Sequence, residues 1–273
     1  MAANQKAATM TNPVTPTLLN CSSTGIETNP HLVIMHGLFG DLNNWKAMAG
    51  RFSDQFRVHC MDLRNHGNSP HVSGMTYTEM AADVAHTCQS LNIINTHVIG
   101  HSMGGKTAMR LALDTSELVD RLAVVDIGPR QYEHHHDNIL EGLQRLSATT
   151  LTSRKEADTI LAPFAPDAGV RSFLLKNLSR QDDGSYKLRV NIDEITSRYS
   201  DIADSIQSAQ KFNRPVLFVK GAESDYLTEA DRAPIAELFS NPSLKTIDGA
   251  GHWPHSEKPD VIYKILADFF AAG

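Results

Sequence analysis

The chain has 273 residues with a formal net charge of −6 at pH 7, and 41% of its residues are hydrophobic. This length favours one large domain with an insertion over two independent domains. The charge is mild and spread along the chain, so no basic track for nucleic acid is visible. No apolar run reaches the length of about 18 residues that predicts a membrane span.

Cysteine usage favours a reducing compartment. Cys21, Cys60 and Cys88 are an odd number of cysteines at unrelated spacings, which argues against a disulfide scaffold. We therefore expect a cytoplasmic protein that acts on a small molecule and has no nucleic-acid partner. The pattern leaves the oligomeric state open.

The first sixteen residues predict a flexible N-terminal arm. They are rich in Ala, Asn, Thr and Pro and lack the apolar segment of a secretory signal. Lys6 is the one basic residue, where a mitochondrial leader would carry several arginines. Residues 17–28 then predict a hairpin at the edge of a sheet.

From residue 32 onward the chain alternates strand-like and helix-like segments, which is typical of a doubly wound, mostly parallel α/β sheet. The strands are predicted near residues 32–36, 56–62, 96–100, 121–127, 215–220 and 243–248. The helices between them are predicted near residues 43–52, 76–91, 103–113, 228–240 and 259–271. The predicted core therefore comprises residues 17–129 and 212–273.

The alternation stops between residues 130 and 211. This stretch predicts helices near 131–147, 153–163, 168–178 and 192–199, with a short strand at 186–190. An insertion of this length after a core strand predicts a cap over a site at the sheet edge. We expect the cap to set substrate preference.

Residues 100–104, Gly-His-Ser-Met-Gly, have the G-x-S-x-G form and lie between a predicted strand and a predicted helix. A strand-to-helix turn this sharp crowds the backbone around the serine, and glycine removes the side chains that would clash. Ser102 is therefore the candidate nucleophile, presented at the positive end of the following helix.

A serine hydroxyl needs a base to take its proton and an acid to orient that base. His252 is the candidate base, because small residues before it leave room for the ring beside the serine, and because it follows the serine and acid in chain order. His255 is expected to face solvent or cap a helix. His101, inside the turn, is expected to pack or to form a local hydrogen bond.

The acid has two candidates. Asp126 ends an apolar strand beside the nucleophile strand, whereas Asp225 follows a later strand. In many hydrolases of this architecture the acid stands three residues after the glycine that ends the corresponding strand. Here that glycine is Gly221 and the third residue after it is Ser224, so Asp225 lies one residue beyond the usual position of the acid. Asp126 fits better, because the acid must reach Nδ1 of the imidazole.

Candidate oxyanion donors are expected in the loop after the strand at 32–36 and in the turn that follows Ser102. The backbone N–H groups of Leu38 and Met103 are the candidate oxyanion donors, with the Phe39 N–H as an alternative. Phe39, Phe173 and Trp253 are the candidate substrate-binding residues.

No cofactor is expected. No metal is expected either, because three adjacent histidines on a helix, residues 134–136, cannot converge on one ion. Lys106 is expected to be exposed or ion-paired.

Six stretches together resemble the alpha/beta-hydrolase superfamily, and within it the YbfF-like esterases and their eukaryotic alpha/beta-hydrolase-domain relatives. They are residues 36–40, 62–70, 100–106, 125–127, 173–178 and 249–253. The resemblance implies that the acid follows the strand after the nucleophile, which is Asp126, with a serine on the later loop, here Ser224. Asp225 departs from that pattern by adding a second carboxylate.

Two classes of function fit this sequence. The first is a serine hydrolase that cleaves carboxylic esters, or acyl thioesters, through an acyl-enzyme; a C–C hydrolase or lyase with the same triad is a variant of it. The second is a non-catalytic ligand-binding protein on the same fold. The presence of serine, acid and histidine together favours the first class.

Overall fold

The computed structural model describes residues 15–272. The strands in this part of the chain are β1 (Cys21–Thr24), β2 (His31–Met35), β3 (Arg57–Met61), β4 (Thr96–His101), β5 (Val119–Val125), β6 (Leu178–Arg180), β7 (Tyr186–Leu188), β8 (Phe212–Gly221) and β9 (Phe239–Ile247). The predicted arm, residues 1–16, lies almost wholly outside the described residues.

Helices connect these strands. They are α1 (Lys46–Phe52), α2 (Tyr77–Ser90), α3 (Met103–Asp114), α4 (Asp137–Ser147), α5 (Arg154–Leu161), α6 (Ala168–Leu174), α7 (Ile192–Ser197), α8 (Tyr199–Ala203), α9 (Arg232–Leu238), α10 (Pro254–Glu257) and α11 (Pro259–Ala271). Short 3₁₀ helices add Leu42–Trp45, Leu175–Asn177 and Glu229–Asp231. Among residues 15–272, no helix is both long enough and apolar enough to cross a bilayer.

The central sheet has the order β1-β3-β2-β4-β5-β8-β9. Its strands are parallel except β1, which runs antiparallel to β3. The predicted doubly wound, mostly parallel sheet is therefore confirmed. The register pairs Met35 with Gly100 and His101 with Val125. Since parallel strands end at one edge, the residues that follow β2, β4 and β5 meet there.

Each central strand is apolar on both faces because helices cover both sides of the sheet. In β2, Val33 and Met35 pack into the core beneath α2, α3 and the inserted helices, whereas Leu32 and Ile34 pack against the opposite layer, which contains α1 and α11. The sheet is thereby held between two hydrophobic layers, and its edge is free to carry polar groups.

Some predicted elements are wrong in detail. Residues 17–28 contain only the strand β1 at the sheet edge and not a hairpin, because after Thr24 the chain turns at Gly25 (φ 93°) toward β2. The helix predicted from 131 begins at Asp137 instead. Tyr132 explains the difference, since its N–H donates to the carbonyl of Ala203 at 2.8 Å and fixes a non-helical backbone.

The insert, residues 130–211, lies between β5 and β8 and carries α4 to α8 with the β6–β7 hairpin. The helix predicted at 168–178 ends earlier, and Leu178 begins β6. Asn177 accounts for the break, because its side-chain amide donates to the carbonyls of Phe39 and Leu174. The helix predicted at 192–199 is likewise two short helices, α7 and α8. The contact between Asn177 and Phe39 ties the insert to the loop after β2.

Candidate active site

Ser102 occupies a strained turn between β4 and α3. Its φ is 53°, in the left-handed region that disfavours residues with a side chain. The turn is possible because a Cβ at Gly100 would lie 2.2 Å from the carbonyl oxygen of Gly104, and one at Gly104 would lie 2.4 Å from that of His36. Glycine at both positions therefore lets strand, serine and helix approach as the motif predicts.

His252 bridges Ser102 and Asp126. Its Nε2 lies 3.1 Å from Oγ of Ser102, and its Nδ1 lies 2.8 Å from Oδ2 of Asp126. Because a carboxylate accepts hydrogen bonds, Nδ1 carries the proton and Nε2 is left to accept from the serine hydroxyl. Three residues from three separate loops thus form one chain of hydrogen bonds.

Asp126 is fully buried at the end of β5, and its carboxylate has further donors. The Gly221 N–H donates to Oδ1 at 2.9 Å, and the Ser224 hydroxyl donates to Oδ2. Asp225, the other candidate, is exposed, and its carbonyl accepts from Arg130. The structure therefore brings Asp126 to His252 and points Asp225 to the surface.

Two aromatic residues hold His252 in place. The Tyr226 ring stacks on its imidazole with centroids 3.9 Å apart, and Nε2 of His101 lies 2.8 Å from its carbonyl oxygen. Burial lowers the pKa of His101 well below the ordinary value, so its ring is neutral. No sequence pattern marked Tyr226, and the position of His101 within the motif gave no sign of its long-range partner.

The loop after β2 lies directly against the serine. A Cβ at Gly37 would be 3.1 Å from Cβ of Ser102. The Phe39 N–H donates to Nε2 of His66 at 3.2 Å, which removes it as an alternative oxyanion donor. Within residues 15–272, the N–H groups of Leu38 and Met103 have no hydrogen-bond acceptor. Both are therefore free to bind an oxygen of a ligand.

Two neutral histidines support this loop. His36 contacts the Gly37 carbonyl through Nδ1 at 2.8 Å and accepts the Leu63 N–H through Nε2 at 3.0 Å. His66 contacts the carbonyl of Arg64 at 2.9 Å. Burial lowers the pKa of His66 to about 3 and lowers that of His36 as well. Both rings therefore stay uncharged and can accept from backbone N–H groups.

The cavity above Ser102 has two arms. The larger, about 190 Å³, is mainly apolar and is lined by Phe39, Ile139, Val170, Phe173, Leu174 and Trp253, with His252 and Ser102 at its base. The smaller, about 40 Å³, also reaches Ser102 and is lined by Tyr77, Met103, Lys106, Ile127, Tyr132 and Ile202. The three candidate substrate-binding residues, Phe39, Phe173 and Trp253, therefore share the large arm.

Two polar residues lie where the sequence did not predict them. Lys106 is buried, and its ammonium donates to the carbonyls of Arg130 at 2.7 Å and Asp204 at 2.5 Å, so it is neither exposed nor simply ion-paired. Burial lowers its pKa to about 7. His255 stacks on Trp45 with centroids 4.4 Å apart and lines the large arm, instead of facing solvent.

The three consecutive histidines precede α4 and do not lie on it. His135 contacts the hydroxyl of Tyr226, and His136 contacts the hydroxyl of Tyr199, each at 2.5 Å. His136 also borders both arms of the cavity. Its place at the pocket was missed because the sequence placed these residues on a helix.

Comparison with known proteins defines the family. Residues 30–259 match the family model described as alpha/beta hydrolase fold. The chain is 37% identical to the sn-1-specific diacylglycerol lipase ABHD11 of Xenopus laevis, covering 90% of this chain and 81% of that one. It is 34% identical to Esterase YbfF of Escherichia coli, covering 88% and 92%. A solved marine microorganism esterase superposes with a TM-score of 0.89 at 37% identity, covering 93% and 99%.

The chain therefore belongs to the alpha/beta hydrolase family. Within it the chain is YbfF-like, as its sequence motifs indicate, and it is an ester-hydrolysing enzyme of the carboxylesterase type.

The neutral histidines of the site predict sensitivity to mild acid. Burial lowers the pKa of His66 and His255 from the ordinary value of 6.5 to about 3. Between about pH 6.5 and pH 3 these histidines bind protons in the unfolded protein but not in the folded protein. The free energy of unfolding should therefore fall as the pH drops through this range. Urea unfolding at pH 7.5, 6.5 and 5.5 measures this loss.

His255→Phe is the matched control, because phenylalanine keeps the stacking on Trp45 but does not titrate. Its free energy of unfolding should fall less steeply, by up to about 1.4 kcal/mol per pH unit. Parallel slopes for both proteins would contradict the assignment of a low pKa to His255.

Proposed function

We propose that the protein hydrolyses carboxylic esters with Ser102 as nucleophile, His252 as general base and acid, and Asp126 as the group that orients His252. The observation that carries this proposal is the hydrogen-bond chain from Ser102 Oγ through His252 to Asp126, at 3.1 Å and 2.8 Å. A base within this distance can take the hydroxyl proton as the nucleophile attacks.

The steps follow from these contacts. Oγ of Ser102 attacks the ester carbonyl carbon while Nε2 of His252 takes its proton, and the imidazolium is stabilised by Asp126. The N–H groups of Leu38 and Met103 bind the oxygen that becomes negatively charged. His252 then protonates the departing alcohol, which leaves an acyl-enzyme. A water molecule, activated by the same histidine, releases the acid.

The insert is proposed to act as a cap on this reaction. Ile139, Val170, Phe173 and Leu174 belong to α4 and α6 of the insert and form one wall of the large arm. An apolar wall limits water at the reacting atoms, and exclusion of water strengthens the electrostatic contacts there. The insert would therefore contribute both specificity and the dry surroundings of the oxyanion.

Ser102→Ala should remove nearly all turnover, because the nucleophile is lost. The loss of a triad serine costs roughly 10⁶ in kcat. The measurement is hydrolysis of 4-nitrophenyl acetate, with labelling by a fluorophosphonate probe in parallel; the probe should react with wild type and not with the variant. Thermal unfolding serves as the folding control. Hydrolysis at the wild-type rate by the variant would refute the mechanism.

Asp126→Asn should cost on the order of 10⁴ in kcat, because an amide can hold His252 in the wrong tautomer. The matched control is Asp225→Asn on the neighbouring exposed carboxylate, and it should leave kcat within about twofold of wild type. Both variants need a folding check, since Asp126 is buried and accepts from Gly221 and Ser224. A severe loss in Asp225→Asn with a mild one in Asp126→Asn would transfer the role to Asp225.

A further inference from the structure

Ser102 lies at the junction of the two arms, but His252 does not border both. His252 lines the large arm together with Phe173 and Trp253. Of the residues described, those around the small arm include Met103, Lys106 and Ile127 but not His252. The two arms therefore differ in their access to the proton that His252 carries.

This asymmetry distinguishes the two halves of an ester. When the acyl-enzyme forms, the bond between Ser102 Oγ and the carbonyl carbon is made and the bond from that carbon to the alcohol oxygen breaks. The serine proton passes through Nε2 of His252 to the departing alcohol oxygen, so that oxygen must lie within hydrogen-bond reach of His252. The alcohol then occupies the large arm, and the acyl group is left with the small arm.

We propose that the preferred substrates are esters of a short acyl group with a larger apolar alcohol, an inference that rests on the proposed function. One water occupies about 10–15 Å³ of a cavity, so the small arm, about 40 Å³, holds roughly three non-hydrogen atoms beyond the carbonyl. The large arm, about 190 Å³, holds about thirteen or more. Acetyl to butyryl groups match the small arm.

Hydrogen bonds fix the size of the small arm. The Tyr77 hydroxyl on α2 donates to the carbonyl of Ile202 at 2.5 Å, and the Tyr132 N–H donates to that of Ala203 at 2.8 Å. Lys106 on α3 joins both ends of the insert through the carbonyls of Arg130 and Asp204. Widening the arm would leave buried donors and acceptors without partners, so the acyl limit should be sharp.

The wall of the large arm has a different character. Ile139, Val170, Phe173 and Leu174 meet the cavity with apolar side chains of the insert. Phe173 is only partly buried and lies against Trp253, with ring centroids 5.6 Å apart. Side chains of this kind can rotate to accept a longer alkyl chain without breaking a hydrogen bond. The large arm should therefore tolerate alcohols of increasing length.

The test uses two ester series with the wild-type enzyme. In the first, 4-nitrophenyl acetate, butyrate, hexanoate and octanoate vary the acyl group, and kcat/KM should fall at least about tenfold between butyrate and hexanoate. In the second, methyl, butyl and hexyl acetates vary the alcohol, and kcat/KM measured by pH-stat should rise with length. A rise through octanoate in the first series, or no rise in the second, would overturn the assignment of the arms.

Variants on each wall provide matched controls. Ile202→Ala enlarges the small arm and should move the acyl limit from butyrate to hexanoate without changing the order of the acetates. Phe173→Ala enlarges the large arm and should change the relative rates of the acetates while the acyl limit stays at butyrate. If Ile202→Ala does not fold, Ile127→Val makes a smaller change on the same arm. Variants that fold but leave both series unchanged would refute the proposal.

The same data separate this inference from the proposed function. Ser102→Ala tests the nucleophile on 4-nitrophenyl acetate whatever the chain-length preference. Loss of turnover in that variant with a preference for long acyl groups would leave the mechanism standing and overturn the arm assignment. Turnover that does not depend on Ser102 would overturn both.

Discussion

The buried carboxylate of Asp126 is the constraint on which the site depends. A charge removed from water costs several kcal/mol unless hydrogen bonds compensate it. At Asp126 the compensation comes from the Gly221 N–H, the Ser224 hydroxyl and Nδ1 of His252. Gly221 ends β8, Ser224 follows it and His252 follows β9, so satisfying one carboxylate after β5 also fixes the loops after both of these strands. The position of His252 is thus a consequence of electrostatics at the sheet edge.

Neutral imidazoles fix the loop after β2, which lies against Ser102. His36 and His66 accept backbone N–H groups and contact backbone carbonyls, which holds the loop carrying Leu38 against Ser102. His101 contacts the carbonyl of His252. A protonated ring could not accept an N–H, so burial, by lowering the pKa of these rings, keeps the loop geometry intact. The loop that carries Leu38 is therefore held by histidine rings that carry no charge.

Local pattern and backbone geometry made much of this site predictable. The glycines around Ser102, the strand ending at Asp126 and the small residues before His252 each leave a mark in the sequence, because backbone crowding restricts residue type. No sequence pattern predicts the buried position of Lys106 or the stacking of Tyr226 on His252. Their partners are carbonyls of the insert and a ring on a loop far along the chain, and contacts of this kind depend on packing that spacing does not encode.

Direct detection of the acyl-enzyme tests the central claim, that Ser102 attacks the ester carbon with help from His252. Wild-type protein is mixed with 4-nitrophenyl acetate, quenched in acid within the first turnover, digested and analysed by mass spectrometry. We expect one acetyl group on Ser102, with a matching burst of nitrophenolate. An acetyl group on another residue, or a burst of equal size in Ser102→Ala, would contradict the mechanism.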